Sequence, residues 1–462
     1  MTVKKKTRQN PRHVIVIGAG VAGLAAAEQL SSSGCNVTIL EAQPRVGGRV
    51  FTLQDPMTYS PVELGAEFVH GKPKEIFSLA NKDKLKLIEV EGQEWRIEEG
   101  SLQHPRDFFS EVDKVLRQMK RRKKDRSFQE FLEECCPTSG QEAQKKWAAA
   151  YVEGFNAARL NEISVNSLVQ EQKTEEKIEG DRAFRIEGGY QKLLNSLCSR
   201  LDPRRVKLLL NRVVATIRWR KGEVWVETHS LPEQASESFT AAAVVVTLPL
   251  GVLQAGAGEP GYVRFDPPLP AKVQRAAGLL RMGQVVRITL CFRESFWEST
   301  PIRGQSALKD LSFLFSSDPV FPTWWTRMPE RMPVLTGWSP STRSAPLWNK
   351  PASFICAEAL AALGRLLGIE RSFLEKRLAS FYTHDWHSDP FARGAYSYVA
   401  VDGEGAQRLL AQPVEQALFF AGEATEYEGH HGTVHGAMAT GYRAARQVVE
   451  SMDHSHQVRA GS

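Results

Sequence analysis

A glycine-rich turn near the start of the chain constrains its fold more than any other feature. Residues 13–17 read HVIVI, the turn Gly18-Ala-Gly20-Val-Ala-Gly23 follows, and residues 36–40 read NVTIL after an alanine-rich stretch. This order predicts the strand, helix and strand of a Rossmann-type unit. In such a unit the first glycine permits the tight turn, the second lets a pyrophosphate approach the backbone, and the third lets the helix pack closely on the strand.

An acidic residue at the end of the second predicted strand narrows the choice of ligand. Glu41 follows Gly23 by 18 positions, where a carboxylate can accept hydrogen bonds from ribose hydroxyls. Because a carboxylate repels a 2′-phosphate, NADP is not expected here. The start of the helix adds free N–H groups and a partial positive charge for phosphate. The competing interpretation is a packing turn with a surface glutamate.

Two later apolar runs extend the predicted sheet. Residues 241–247 read AAAVVVT and residues 417–421 read ALFFA, and fully apolar strands of this kind suit a buried parallel sheet. Residues 105–132 and 272–378 have a different texture, with charged and aromatic residues at helical spacing, a capping-box pattern from Ser127 to Glu130, and tryptophan-rich loops. We interpret these segments as two insertions that together form a second domain.

The length, composition and net charge of the chain exclude several classes of protein. A length of 462 residues with 42% hydrophobic and 24% charged residues predicts an ordinary globular protein of two or three domains. The net charge of +6 comes from 59 basic and 53 acidic residues, an excess too small to predict nucleic-acid binding. The basic run at residues 120–124 is expected to be a solvated helix face, with docking on phosphate as the alternative.

The cysteines and the amino terminus indicate the compartment. Six scattered cysteines form no Cys-x-x-Cys pair and no zinc-like spacing, which predicts reduced thiols, a cytoplasmic protein and no metal site. Glycines interrupt the first apolar stretch, so neither a secretory signal nor a membrane span is expected.

Several further motifs give the chain a family resemblance. From about residue 13 to residue 448 it resembles the flavin-containing amine oxidases, which include monoamine oxidases, polyamine oxidases and lysine-specific histone demethylases. The motifs that carry the resemblance are Glu41-Ala-Gln-Pro-Arg45-Val-Gly-Gly48-Arg49, Val62-Glu-Leu-Gly65-Ala-Glu-Phe-Val-His70-Gly71, Arg185-Ile-Glu-Gly188-Gly189-Tyr190, Thr247-Leu-Pro249-Leu-Gly251, Asp389-Pro-Phe-Ala-Arg-Gly394-Ala-Tyr396, Ala421-Gly422-Glu423-Ala-Thr425 and Gly432-Thr433-Val434-His435-Gly436-Ala437.

The resemblance implies an α/β fold with two discontinuous domains. A Rossmann-like FAD-binding domain of the GR2 type is expected from residues 1–82, 185–265 and 385–462. An inserted α+β substrate-binding domain is expected from residues 83–184 and 266–384. The predicted cofactor-binding residues are Gly18, Gly20, Gly23, Glu41, Arg45, Gly48, Arg49, Val214, Gly422, Glu423, Thr433 and Val434.

The expected attachment of FAD is non-covalent, because Ala395 stands where monoamine oxidases carry the cysteine that binds the cofactor. A helix that begins near Thr433 would point its positive end at the flavin and stabilise negative charge there. The alternative for residues 432–437 is plain helix packing by small residues.

The resemblance also implies the reaction and four candidate catalytic residues. An amine would lose a hydride from carbon to flavin N5, which leaves an imine, and O₂ would reoxidise the flavin to give hydrogen peroxide. Tyr396 matches one aromatic wall of the family's cavity, and Thr433 stands where monoamine oxidases place the other. His70 matches a histidine presented to the cavity and is expected to titrate near neutral pH, with a capped loop histidine as the alternative.

Arg287 is the main departure from the family pattern. It falls where many members have a lysine that holds a water near flavin N5. Arginine can orient a water but cannot act as a base, because its pKa exceeds about 12. The alternative is a strand arginine paired to an acid.

Three functions therefore remain open. The first is an FAD-dependent oxidase of a small-molecule amine, such as a polyamine. The second is a flavin oxidoreductase or desaturase of the same fold in which Arg287 binds a substrate carboxylate. The third is a catalytically silent flavin-binding scaffold. The sequence leaves the individual substrate, the electron acceptor and the oligomeric state undetermined.

Overall fold

Residues 13–40 form the predicted strand, helix and strand. The structure is a computed structural model that describes residues 12–98, 100–103, 108–135 and 142–460. The strand His13–Ile17 leads through the glycine turn into the helix Val21–Ser32, and the strand Asn36–Leu40 pairs in parallel with the first strand. The βαβ prediction is confirmed.

The strands are numbered in chain order: β1 His13–Ile17, β2 Asn36–Leu40, β3 Thr52–Gln54, β4 Pro61–Glu63, β5 Val69–His70, β6 Leu87–Glu89, β7 Gln93–Glu98, β8 Ser101–Gln103, β9 Ala183–Ile186, β10 Val206–Leu209, β11 Arg212–Arg220, β12 Glu223–Ser230, β13 Ser236–Ala241, β14 Ala243–Val246, β15 Arg264–Asp266, β16 Leu280–Met282, β17 Val285–Phe292, β18 Leu311–Phe315, β19 Thr323–Trp325, β20 Val334–Pro340, β21 Leu378–Thr383, β22 Ser397–Val399 and β23 Leu418–Phe420.

The α-helices are α1 Val21–Ser32, α2 Lys74–Asp83, α3 Phe108–Leu116, α4 Phe128–Cys135, α5 Glu142–Asn156, α6 Val165–Glu175, α7 Gln191–Ser199, α8 Leu250–Leu253, α9 Ala271–Gly278, α10 Ala352–Leu367, α11 Arg371–Arg377, α12 Ala406–Leu410 and α13 Val434–Ala460.

The first of two compact units is built on a parallel sheet. Among the described residues it takes in 12–48, 194–280 and 405–460. Its five strands have the order β10-β2-β1-β14-β23, and every neighbouring pair is parallel. The predicted joining of the four apolar runs into one sheet is therefore confirmed, while β10 is an edge strand that the apolar pattern did not reveal. All five strands end at the same edge, where the glycine turn lies.

The second unit is built on a mixed sheet with a cluster of helices. It takes in residues 49–193 and 281–404, as far as they are described. Its seven strands have the order β21-β17-β20-β19-β18-β7-β8. Ile288, Leu335, Trp324 and Leu314 belong to one buried core with residues of α10 and α11. Residues of α3 to α6 form a separate core that includes Phe128, Trp147 and Leu168.

The capping box at the start of α4 is confirmed. The Ser127 backbone N–H donates to Glu130 Oε2 at 2.7 Å, and the Glu130 N–H donates to Ser127 Oγ at 3.2 Å. These reciprocal bonds satisfy two helix-end donors, as the sequence pattern requires.

The two compact units differ from the predicted domains in the assignment of residues 49–82, 185–193, 266–280 and 385–404. One reason is the three-stranded sheet β5-β9-β6, which joins residues 69–70, 183–186 and 87–89 in one unit. Pairing between strands so far apart in sequence leaves no mark in the local pattern. The assignment of FAD and substrate to particular domains stays a prediction.

The basic run at residues 120–124 does not lie on a helix face, so that expectation is wrong. α3 ends at Leu116, and the run is an exposed loop before α4. The buried Asp125 anchors the end of this loop, because its carboxylate accepts hydrogen bonds from Ser164 Oγ at 2.6 Å and from the Asn166 N–H at 3.2 Å. In the part of the chain that the structure describes, no helix is both long and apolar enough to cross a membrane.

Candidate functional site

The three glycines of the turn have different surroundings. A Cβ atom on Gly23 would lie 2.0 Å from the carbonyl oxygen of Gly18, and one on Gly18 would lie 2.6 Å from Thr247 Oγ1. A Cβ on Gly20 would meet nothing nearer than Gly47 O, at 3.9 Å. The packing of the protein therefore requires the first and third glycines, whereas the second faces open space. This is the arrangement that a closely approaching pyrophosphate needs.

Glu41 is held rigidly beside this turn. It follows β2 directly and is 6% exposed. Its Oε2 accepts the backbone N–H of Ala19 at 2.6 Å, and its Oε1 accepts that of Gln43 at 2.9 Å. The parallel pairing of β1 and β2 thus places a fixed carboxylate next to the second glycine. Its role toward a ribose stays a prediction.

Two other backbone segments border the glycine turn. The Gly47 N–H donates to Ala19 O at 2.8 Å, and the Arg45 guanidinium donates to Gly48 O at 2.9 Å. Arg45 therefore shapes this loop from within, in addition to any contact with phosphate. Gly422 has φ +121°, and a Cβ there would meet only Thr247 O, at 4.0 Å. The open space at Gly20 and Gly422 fits a bulky cofactor at this edge of the sheet.

The first turn of α13 is capped by the side chain of Thr433. Thr433 Oγ1 accepts the Gly436 N–H at 3.0 Å and donates to His430 O at 2.6 Å. Glu423 Oε2 accepts the Gly432 N–H at 3.1 Å. The helix begins at Val434, as predicted, and its 27 residues give the amino-terminal end a positive potential. The Thr433 hydroxyl already has a structural task, and its catalytic role stays a prediction.

Val214, a predicted cofactor-binding residue, is buried and lies on β11 in the first unit. Four other candidate site residues belong to the second unit. These four are Arg49, His70, Arg287 and Tyr396. Arg49 donates to Ala395 O at 2.8 Å, and the Tyr396 hydroxyl donates to Phe155 O at 2.7 Å.

A buried carboxylate, Glu67, organises the polar part of the second unit. Arg185 Nε donates to Glu67 Oε1 at 2.7 Å, Trp325 Nε1 donates to Glu67 Oε2 at 3.0 Å, and Arg287 Nη2 also donates to Glu67 Oε2. Arg327 is a third buried arginine near this carboxylate. Burial alone would raise the pKa of Glu67, but the three guanidinium groups lower it to about 2. Glu67 is therefore ionised throughout the physiological range.

Arg287 is paired to an acid, as in the alternative interpretation of this residue. Besides Glu67, its guanidinium donates to Gly65 O at 2.9 Å and lies 5.5 Å from the centre of the Trp325 ring. Among the described residues its Nε has no hydrogen-bond partner. The two terminal nitrogens are thus engaged by the protein, so a substrate carboxylate would have to compete with Glu67 for them.

The sequence patterns did not single out this cluster. Glu67 stands in the run Leu64-Gly-Ala-Glu-Phe-Val, where an acid among apolar residues indicates a buried carboxylate that needs a cation. That signal could have identified Glu67, but not its partners. Glu63 is buried nearby, where desolvation raises its pKa to about 7 although it accepts hydrogen bonds from Thr52 and from the Tyr190 N–H.

His70 does not titrate near neutral pH, so that expectation is wrong. Its ring packs edge-on against Phe155, with centroids 5.2 Å apart, and lies 6.0 Å from Phe68. Desolvation among these rings lowers the pKa of His70 to about 4. The imidazole is therefore neutral at pH 7.

The low pKa of His70 gives a pH-dependent contribution to stability. A histidine whose pKa falls from 6.5 to about 4 on folding stabilises the fold fully above pH 6.5, and this contribution is lost as the pH falls toward 4. As the pH falls from 6.5 toward 4, we expect the free energy of unfolding to decrease less steeply for His70→Gln than for wild type. The two slopes should differ by up to about 1.4 kcal/mol per pH unit. Equal slopes for the two proteins, or a His70 ring NMR signal that titrates between pH 6 and 8, would contradict this.

A sequence model described as flavin containing amine oxidoreductase matches two overlapping segments, residues 21–177 and 99–449. The chain is 29% identical to Lysine-specific histone demethylase 1 homolog 3 of Arabidopsis thaliana, over 95% of this chain and 30% of that protein. It is 27% identical to Polyamine oxidase 4 of Oryza sativa subsp. japonica, over 94% of this chain and 88% of that protein. The chain thus spans less than a third of the length of the demethylase homologue.

A solved structure of wild-type putrescine oxidase bound to putrescine has a TM-score of 0.77 and 21% identity, covering 95% of this chain and 99% of that one. At this identity the likeness shows a common fold. Together with the parallel sheet, it confirms the predicted α/β fold with a Rossmann-like core.

Proposed function

Because this chain belongs to the flavin containing amine oxidoreductase family, we propose that it binds FAD without a covalent bond and oxidises the carbon–nitrogen bond of a polyamine. Bound flavin would supply the oxidising chemistry by accepting a hydride from the carbon beside the nitrogen, with O₂ as final acceptor and hydrogen peroxide as product. Gly20, Glu41 and Gly422 would hold the cofactor, since two of them face open space and the third is a fixed carboxylate beside the turn. Ala395 offers no thiol for attachment.

The observation that carries the proposal is the charge of the Glu67 cluster. Arg185, Arg287 and Arg327 are all buried, and Glu67 is the fully buried carboxylate that they share. Glu330 pairs with Arg327 at 2.6 Å from a more exposed position, and Glu63 has a pKa of about 7. Below about pH 7, where Glu63 is mostly protonated, three arginines face the two carboxylates Glu67 and Glu330, so the positive charges exceed the negative ones by one.

This excess of positive charge favours chemistry on a neutral amine. An amine must lose its proton before the adjacent carbon can give up a hydride, because the nitrogen lone pair stabilises the imine that forms. Nearby positive charge disfavours an ammonium ion and lowers the pKa of an amine. Arg287 would then help to keep the reacting amine unprotonated, and it could also orient a water through Nε, which has no partner among the described residues.

The same Nε gives the one specific argument for a carboxylate-bearing substrate. A single free donor is a weak anion site, because tight carboxylate binding by arginine uses two parallel donors. We therefore rank this flavin oxidoreductase or desaturase activity second.

The test of the proposed function is anaerobic reduction of the purified holoenzyme. Spermine, putrescine, phenylethylamine, an amino acid and a dimethyl-lysine peptide would each be added while the visible flavin band is followed. We expect spermine to bleach the band, and readmitted air to restore it with one peroxide formed per amine oxidised. Bleaching by the amino acid alone would favour the carboxylate-bearing substrate, and bleaching by the peptide alone would indicate demethylase chemistry. A flavin that none of these compounds reduces would contradict the proposal.

A further inference from the structure

The seven-stranded sheet of the second unit has two chemically different faces. Side chains alternate between the faces along each strand, and residues directly opposite on neighbouring strands share a face. Ile288, Leu314 and Ile97 point into the core that contains α10. On each strand, the residues that alternate with the core residues point to the opposite face. In register across the sheet these are Arg287 and Thr289 on β17, Trp338 and Thr336 on β20, Trp325 on β19, Phe313 and Phe315 on β18, and Glu94 and Arg96 on β7.

Aromatic rings form a continuous chain over this opposite face. Phe68 lies 5.9 Å from Phe313 and 5.6 Å from Trp325, measured between ring centroids. His70 contacts both Phe68 and Phe155, and Phe155 stacks on Tyr151 at 5.6 Å. Most of these rings are only half-buried. Half-buried rings in contact with one another make a surface that suits the methylene chain of a ligand and attracts cations.

Glu94 is the carboxylate at the far end of this face. It pairs in register with Phe313 and is half-buried. Desolvation raises the pKa of Glu94 to about 7, with no contribution from a charged neighbour. Within the described ranges its carboxylate has no ion pair and no hydrogen bond. The next acid on this face, Glu98, accepts a hydrogen bond from Trp147 Nε1 at 3.3 Å and pairs with Arg96 at 3.0 Å.

The face therefore has an arginine at one end and a titratable carboxyl group, which a cationic ligand would favour in its ionised form, at the other. Arg287 of the arginine cluster lies on β17, and Glu94 lies four strands away on β7. Neighbouring strands are about 4.8 Å apart, so about 19 Å separate the two ends. A diamine is too short for this span. A linear tetra-amine such as spermine could lie across the rings with a neutral amine at the Arg287 end and an ammonium group at Glu94.

We propose that Glu94 binds the distal ammonium group of a long linear polyamine and determines the preference of this enzyme for tetra-amines over monoamines. This inference rests on the proposed function, since it takes the oxidised amine to lie at the Arg287 end of the face. Ion pairing with the ammonium supplies the partner that the desolvated carboxylate lacks.

The experiment compares wild type with Glu94→Gln, which keeps the shape of the side chain but removes its charge. We expect KM and anaerobic Kd for spermine to rise about 10- to 100-fold, as for loss of a charge-assisted hydrogen bond. We expect kcat for spermine and all constants for butylamine, which has no distal ammonium, to change less than about twofold. Glu94→Asp should recover part of the spermine affinity. Glu91→Gln is the matched control, because it removes the same charge from an exposed position three residues earlier.

The outcomes separate this inference from the proposed function. Unchanged spermine binding in Glu94→Gln, or an equal loss for spermine and butylamine, would overturn the role of Glu94 while leaving amine oxidation in place. Spermine binding that depends on Glu94 in a protein whose flavin no amine reduces would overturn the proposed function alone. Failure of wild type to bind spermine, measured by calorimetry, would overturn both.

Discussion

Replacing Glu67 by glutamine is expected to destabilise the fold by about 3–5 kcal/mol, the usual cost of leaving a buried charge without its partner. Glu67 accepts hydrogen bonds from Arg185 and Arg287, whose side chains are 4% and 5% exposed. Glutamine has the same shape but would leave the buried guanidinium groups without a counter-charge. Denaturant unfolding of the purified proteins measures the loss.

The control for this change is Glu89→Gln. Glu89 pairs with Arg182, and both side chains are about one-third exposed, at 37% and 34%. A pair this exposed contributes little to stability, because solvent screens the two charges. If both variants lost the same small amount, Glu67 would not be the group that balances the buried arginines.

The pH dependence of stability gives an independent check on Glu67. Its pKa lies at about 2 in the folded protein, below the ordinary value of 4.5. A group with a lowered acid pKa stabilises the fold fully above its unfolded pKa, and this contribution is lost as the pH falls. Wild type should therefore lose stability between about pH 4.5 and pH 2 more steeply than Glu67→Gln. Parallel acid unfolding curves for the two proteins would refute this.

We expect Gly20→Ala to weaken FAD binding and Gly23→Ala to destabilise the fold. A Cβ at Gly20 meets nothing within 3.8 Å because its nearest neighbour is Gly47 O at 3.9 Å, so the apoprotein should lose no more than about 1 kcal/mol. The same methyl group would enter the space proposed for the pyrophosphate. A steric conflict of about 1–3 kcal/mol would weaken FAD binding about 5- to 150-fold.

Gly23→Ala should damage the fold itself. Its Cβ would lie 2.0 Å from Gly18 O, and backbone at that distance has to move. Flavin content per protein and the Tm of the apoprotein separate the two variants. If Gly20→Ala kept its full flavin content, the cofactor would not approach the second glycine, and the proposed binding mode would be wrong.

The sequence was sufficient for features that depend on neighbouring residues. The glycine turn, the apolar strands and the capping box at Ser127 are each defined within a few positions, and the structure reproduces them. Local patterns work in these cases because φ preferences, side-chain alternation and helix-end hydrogen bonds act over one or two turns of chain. The edge strand β10 was missed because its half-exposed residues lack the apolar run of the central strands.

The chemistry of the candidate site required the tertiary structure. Nothing near His70 in sequence indicates that Phe155 packs against its ring and helps to desolvate it. The expectation that His70 titrates near neutral pH was wrong for this reason. Likewise, an isolated Glu94 in a strand is an ordinary surface acid until Phe313 and the aromatic face are placed beside it.

By itself, the sequence determined the Rossmann-like unit, the family resemblance and the positions of the residues that could bind a dinucleotide. Only the tertiary structure decided that Glu67 joins Arg185 and Arg287, which lie 118 and 220 positions away in the chain. The physical reason is that charge, burial and pKa are set by all groups that surround an atom in space. Local chain geometry can be inferred from adjacent residues, whereas an electrostatic environment is assembled by strands that only folding brings together.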